Sequence, residues 1–169
     1  MPKNRASRKR YQPRHPQGTL PITIALSENA RREMETASWL SLDSFQLHEG
    51  SFSAWSELAI RFRTGAMLTR LFSEKQIQID IDRALAVLRT LYVRAQSGPN
   101  QVWSADEGEC GALGGALDLV DSMQNNVTKR ELIAAMQAVA TEQHVNAKND
   151  TWNIDDVLRP CAQLSPPHS

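Results

Sequence analysis

Residues 53–72, SAWSELAIRFRTGAMLTRLF, carry two apolar stripes when read at helical period. Trp55, Leu58, Ala59, Phe62 and Ala66 form the wider one. Ile60, Met67 and Leu71 form the narrower, with Glu57 and Arg61 on one flank and Arg63 and Arg70 on the other. A surface helix needs one apolar face. A helix with two is either enclosed by its own chain or rests its second face on a partner, and the pattern favours enclosure. If the second face is free, Ile60, Met67 and Leu71 are the surface for homodimerisation.

Four further periodic segments surround this one. Ser27 can cap a helix over 27–48, with Ala30, Met34, Ala37, Ser41 and Phe45 inward, Leu40 at the edge and Gly50 as the stop. The stretch SEKQIQIDID alternates Ile77, Ile79 and Ile81 like a strand, then passes into a helical stripe of Ile81, Leu85, Leu88, Tyr92 and Ala95. An extended lead-in followed by a helix over 80–96 is the reading, closed by Gly98-Pro99. Ser104 with Glu107, and Thr128 with Glu131, both fit the capping box, in which two side chains satisfy orphan backbone N–H groups reciprocally. They open helices over 104–123 and 128–143. Leu113, Leu117 and Val120 face inward from the first, and Leu132, Met136 and Val139 from the second. The link 124–127 makes the two an antiparallel hairpin. Gly111 and Gly115 lie four apart in a helix, where each glycine costs about 1 kcal/mol. A close crossing by the central helix is the simplest gain to set against that cost.

The fold class is therefore all-α: a compact bundle of about five helices over 27–144. Residues 1–26 precede it as a basic, unstructured arm and an extended strap, TLPITIAL, whose Pro21 interrupts any helix. Residues 145–169 form a fraying tail with one short turn around Trp152 and Val157.

Charge changes this picture. The formal net charge is zero, yet residues 1–27 hold Lys3, Arg5, Arg8, Lys9, Arg10 and Arg14 and no acid. The rest carries 13 basic and 19 acidic residues, a charge of −6. With Tyr11 among its cations, the arm has the composition of a segment that neutralises phosphates and stacks on a base. The candidate binding residues are thus Lys3, Arg5, Arg8, Lys9, Arg10, Tyr11 and Arg14, with Arg61, Arg63 and Arg70 as auxiliary contacts.

Candidate chemistry is otherwise sparse. The acidic clusters Asp80/Asp82, Asp106/Glu107/Glu109 and Asp155/Asp156 mostly stand at helix starts, where the helix dipole favours them. His48 and His144 lack metal-ligand spacing, and no phosphate loop follows a strand. Cys110 and Cys161 are too few for a disulfide framework or zinc site, which suits a reducing cytoplasm. No apolar run approaches the roughly 20 residues of a membrane span. No catalytic residue, metal or cofactor is expected, and no membrane partner.

RKRYQPR at 8–14, followed by GALGGALDLVDSMQNNVTKRELIAAMQAV at 111–139, resembles a loose group of small phage and prophage proteins of Proteobacteria. In these a KRYRP-type basic arm precedes a helical body ending in a similar helix pair. Gln12 stands where the group usually has arginine, and the glycine cluster departs from its more helix-prone residues. The group carries no established activity, so no site residues transfer. The resemblance implies a mobile-element origin, the cytoplasm of a bacterial host, and an accessory role. Such proteins often bind host nucleoprotein machinery, including defence complexes. Three functions stay open: an accessory protein that docks on and inhibits a host nucleic-acid-handling complex, a direct DNA or RNA binder, and a homo-oligomeric scaffold.

Overall fold

The computed structural model describes residues 27–98, 102–148 and 153–160. The arm, the strap, Trp152 and Cys161 lie outside the described residues. Among the described residues six α-helices follow in order: α1 (Glu28–Gln46), α2 (Phe52–Leu68), α3 (Lys75–Ser97), α4 (Glu107–Asn126), α5 (Lys129–Lys148) and the single turn α6 (Ile154–Val157). The end of α2 tightens into a 3₁₀ turn over Thr69–Leu71. There is no strand among the described residues.

The helix α2 is the axis of the bundle, with α1, α3, α4 and α5 all packed against it. From Arg61 through Thr69 every residue is buried. Enclosure by the same chain thus accounts for the wider apolar stripe and for Met67 of the narrower one. Close approach is possible because α2 has a glycine where α4 crosses: a Cβ on Gly65 would lie 2.5 Å from Val120 Cγ2. The core continues through Phe45 of α1, Ile81, Leu85 and Leu88 of α3, Leu113, Leu117 and Val120 of α4, and Leu132 and Val139 of α5.

The helix starts follow local chemistry. The Ser27 hydroxyl accepts from Ala30 N–H at 3.1 Å and caps α1. Ser51 caps α2 through Ala54 N–H, so the helix begins at Phe52. The box before α4 is Asp106 with Glu109, two residues later than the Ser104 pairing, and both reciprocal bonds are made. Segment 102–106 crosses the end of α1, burying Trp103 and Ala105, so the chain is free to turn helical only after them. At α5 the Thr128–Glu131 box forms as expected, and these bonds hold the Glu131 carboxyl below its ordinary range.

Four expectations are corrected. No extended lead-in precedes α3: it is helical from Lys75, with Ile81 in the core and Ile79 pointing outward. α1 stops before Gly50, the chain reversing at His48, whose φ is +58°. Gly50 instead makes room, since a Cβ there would fall 2.4 Å from the Trp103 carbonyl oxygen and 2.6 Å from the Phe45 ring. α5 does not fold back along α4 as a hairpin but takes α2 as its principal neighbour. In α1 the inward residues are Ser38, Leu42 and Phe45, while Ala37 and Leu40 are exposed.

The glycines of α4 also differ from expectation. Nothing approaches within 4 Å of a Cβ placed on Gly111 or Gly115. Opposite effects of the same substitution follow. Gly65→Ala should destabilise the protein by about 1–3 kcal/mol through overpacking, whereas exposed Gly115→Ala should stabilise it by about 1 kcal/mol through helix propensity. Urea unfolding of the two variants beside the parent checks both signs.

Candidate functional site

Two arginines of α2 point inward. Arg61 is 4% exposed and Arg63 3%. Arg61 donates to Gln124 Oε1 at 2.6 Å and forms an ion pair with Asp121, both on α4. Arg63 pairs with Glu142 of α5. These two side chains therefore do not serve as auxiliary phosphate contacts: each is enclosed and committed to a carboxylate of its own chain. Arg70 is exposed just beyond α2.

The same device recurs between other helices. Arg89 of α3 pairs with Asp155 of α6. Arg94 of α3 donates to both Glu109 carboxylate oxygens, at 3.0 and 2.6 Å, and to the Ser104 carbonyl at 3.1 Å. The Glu109 carboxyl is held below its ordinary range chiefly by Arg94, against the opposing effect of burial, and the Arg94 guanidinium is raised in return.

Of the narrower stripe, Met67 is only 9% exposed with α5 packed on α2, while Ile60 is 39% and Leu71 52% exposed. The three do not form a continuous exposed stripe. The arm residues Lys3, Arg5, Arg8, Lys9, Arg10, Tyr11 and Arg14 lie outside the described residues.

A groove of about 600 Å³ lies between α1 and the first half of α4. The two helices run antiparallel. Arg31 donates to Asn125 Oδ1 at 3.1 Å near one end, and Trp39 Nε1 donates to Asp121 Oδ2 at 3.2 Å further along. Beyond that point the groove runs along the α1–α4 contact, lined by Trp39, Leu42, Gln46 and His48 on one side and by Asp106, Glu107, Cys110, Gly111 and Gly114 on the other. Leu42 and Cys110 are buried in it. The glycines leave it open: Gly111 presents no side chain, and a Cβ on Gly114 would only touch Leu42 and Trp39 at 3.6 and 3.8 Å.

Its chemistry is apolar within and acidic at the lip. Asp106 and Glu107 line it directly. Exposed Asp118 stands one turn beyond Gly114 on α4, and exposed Asp43 one turn beyond Trp39 on α1. Among the described residues no lysine or arginine lines it. Burial pushes the Cys110 thiol up, so it is a neutral thiol at neutral pH.

The other acidic clusters serve structure. Asp80 accepts from Gln76 at 3.1 Å one turn away, Asp106 and Glu109 cap α4, and Asp155 is taken by Arg89. Among the described residues no group of three His, Cys, Asp or Glu could hold a metal ion. No helix among them is long and apolar enough to cross a membrane. Sequence reading missed the groove because no motif marks it. It depends on Trp39 and Gly114 facing each other across two helices distant in the chain.

Comparison with protein-family models, curated proteins and solved structures finds no match.

Glu109 makes a pH-dependent contribution to stability. Its folded pKa lies below the unfolded value, so the stabilisation is present above the ordinary carboxylate range and is lost as pH falls through and below it. Glu109→Gln keeps the capping geometry and removes the charge. Its urea midpoint should fall below that of the parent at neutral pH and converge with it in acid. A constant gap at both pH values would contradict the linkage.

Proposed function

We propose that this chain is a non-enzymatic accessory protein that docks, through its basic N-terminal arm, onto a nucleic-acid-handling complex of a bacterial host cell, with inhibition of that complex as the consequence. One observation carries the reading: the body commits Arg61, Arg63, Arg89 and Arg94 to its own carboxylates. The acid-free run from Lys3 to Arg14 is then the densest source of positive charge for an anionic partner. A phosphate surface would be repelled by the remaining chain at −6, so contact falls to the arm. The resemblance to phage and prophage proteins supports the same direction.

Direct binding of DNA or RNA through the arm is the second reading, favoured by Tyr11 among the cations. A pull-down from bacterial lysate with the full chain, beside a variant with all arm cations changed to Gln, tests both. The parent should retain a nucleoprotein that is released as salt rises, and the variant should retain none. Equal recovery by the two contradicts the proposal. Retention that survives nuclease supports docking on the protein component, and loss on nuclease treatment supports the second reading.

A further inference from the structure

The groove between α1 and α4 has a composition that the arm does not explain. Its floor is made by Leu42, Gly111 and Gly114, and one wall is the Trp39 indole, fixed by its bond to Asp121. A ligand-sized groove with an apolar floor and a few placed polar groups is the usual form of a binding site. Here the polar lining is Gln46, His48, Asp106 and Glu107, with two carboxylates among them and no lysine or arginine among the described residues, and exposed Asp43 and Asp118 stand one turn further along the two helices. Arg94, the nearby cation of α3, is paired with Glu109 and also feels the Asp106 carboxylate, which leaves Glu107 as the lining carboxylate without a described cation beside it. The glycine of the floor adds an energetic argument. Gly111 costs helix stability, and nothing in the described residues fills the space it leaves.

We infer that this groove is a docking site for a basic peptide segment of a partner protein, one that places an apolar side chain over Gly111 and Gly114 and sets arginine or lysine against the acidic lip. Charge complementarity selects this occupant. A nucleic acid would meet Asp106, Glu107, Asp43 and Asp118 with like charge, and an acidic segment would meet the same repulsion, whereas a basic one is attracted. A protein with such exposed basic segments is of the kind that itself handles nucleic acid, so the body and the arm would engage two components of one complex. The inference stands on the groove alone and does not need the arm.

The test measures fluorescence anisotropy of a labelled synthetic peptide of alternating arginine and leucine with the full chain, beside a glutamate–leucine peptide. The basic peptide should bind saturably with an affinity that weakens as salt rises, and the acidic one should not bind. Gly111→Leu fills the groove without disturbing the core, and Glu107→Lys reverses its lip. Each should weaken binding by about tenfold, the loss of one good contact. Failure of the basic peptide to bind, or binding unchanged in both variants, overturns the assignment. A third arm uses the full chain with Arg8, Lys9 and Arg10 changed to Gln. Binding to the parent and this variant alike supports a partner segment as occupant. Binding to this variant only would show that the chain's own arm fills the groove and would overturn the partner assignment. The lysate pull-down reads the arm and this titration reads the groove, so failure of one leaves the other intact.

Discussion

The guanidinium of Arg61 is buried where three helices meet, and the arrangement of the bundle depends on how it is satisfied. It reaches from α2 to Asp121 and Gln124 on α4, and Asp121 also accepts from Trp39 on α1. A charge taken out of water is tolerated only when paired and hydrogen-bonded. Moving α4 by a turn relative to α2 would strand both Arg61 and Asp121, so the pair sets the register of the crossing. The apolar contacts are less particular: Leu113, Leu117 and Val120 would bury similar area in several registers, since hydrophobic burial is non-directional. Gly65 reinforces the choice by letting Val120 approach α2 closely.

This constraint links stability to surface character. Arg61, Arg63, Arg89 and Arg94 each join two helices, tying α2 to α4 and α5, and α3 to α6 and α4. The chain thereby uses much of its positive charge internally. Asp43, Asp106, Glu107 and Asp118 remain around the α1–α4 groove, with no lysine or arginine lining it among the described residues. An acidic, grooved body joined to a basic arm is the physical basis of the proposed two-part engagement, in which each part meets the charge that the other would repel.

Much of the helical architecture was legible because its determinants are local. The Thr128–Glu131 box, the Ser27 cap and the stripe Ile81, Leu85, Leu88 operate within a few residues of sequence. Errors arose where a local pattern had two solutions. Ser104–Glu107 and Asp106–Glu109 have equal spacing, and burial of Trp103 and Ala105 decides between them. The start of α3 has no side-chain cap to mark it, and three alternating isoleucines imitate a strand. The groove and the inward arginines were illegible for another reason. Arg61 and Asp121 are 60 residues apart, and Arg63 and Glu142 are 79 apart. A helical wheel places such arginines on a polar flank and has no means of knowing that a distant carboxylate will cover them.

A double-mutant cycle on Arg61 and Asp121, read by urea unfolding, tests the central claim most directly. If the pair sets the register of the bundle, Arg61→Ala should cost about 3–5 kcal/mol, because it leaves a carboxylate without its partner in a largely buried site. The double variant should then be more stable than the sum of the single losses implies, with a coupling of about 1 kcal/mol or more. Single losses below about 1 kcal/mol with additive behaviour, the signature of a solvent-screened surface pair, would contradict the account.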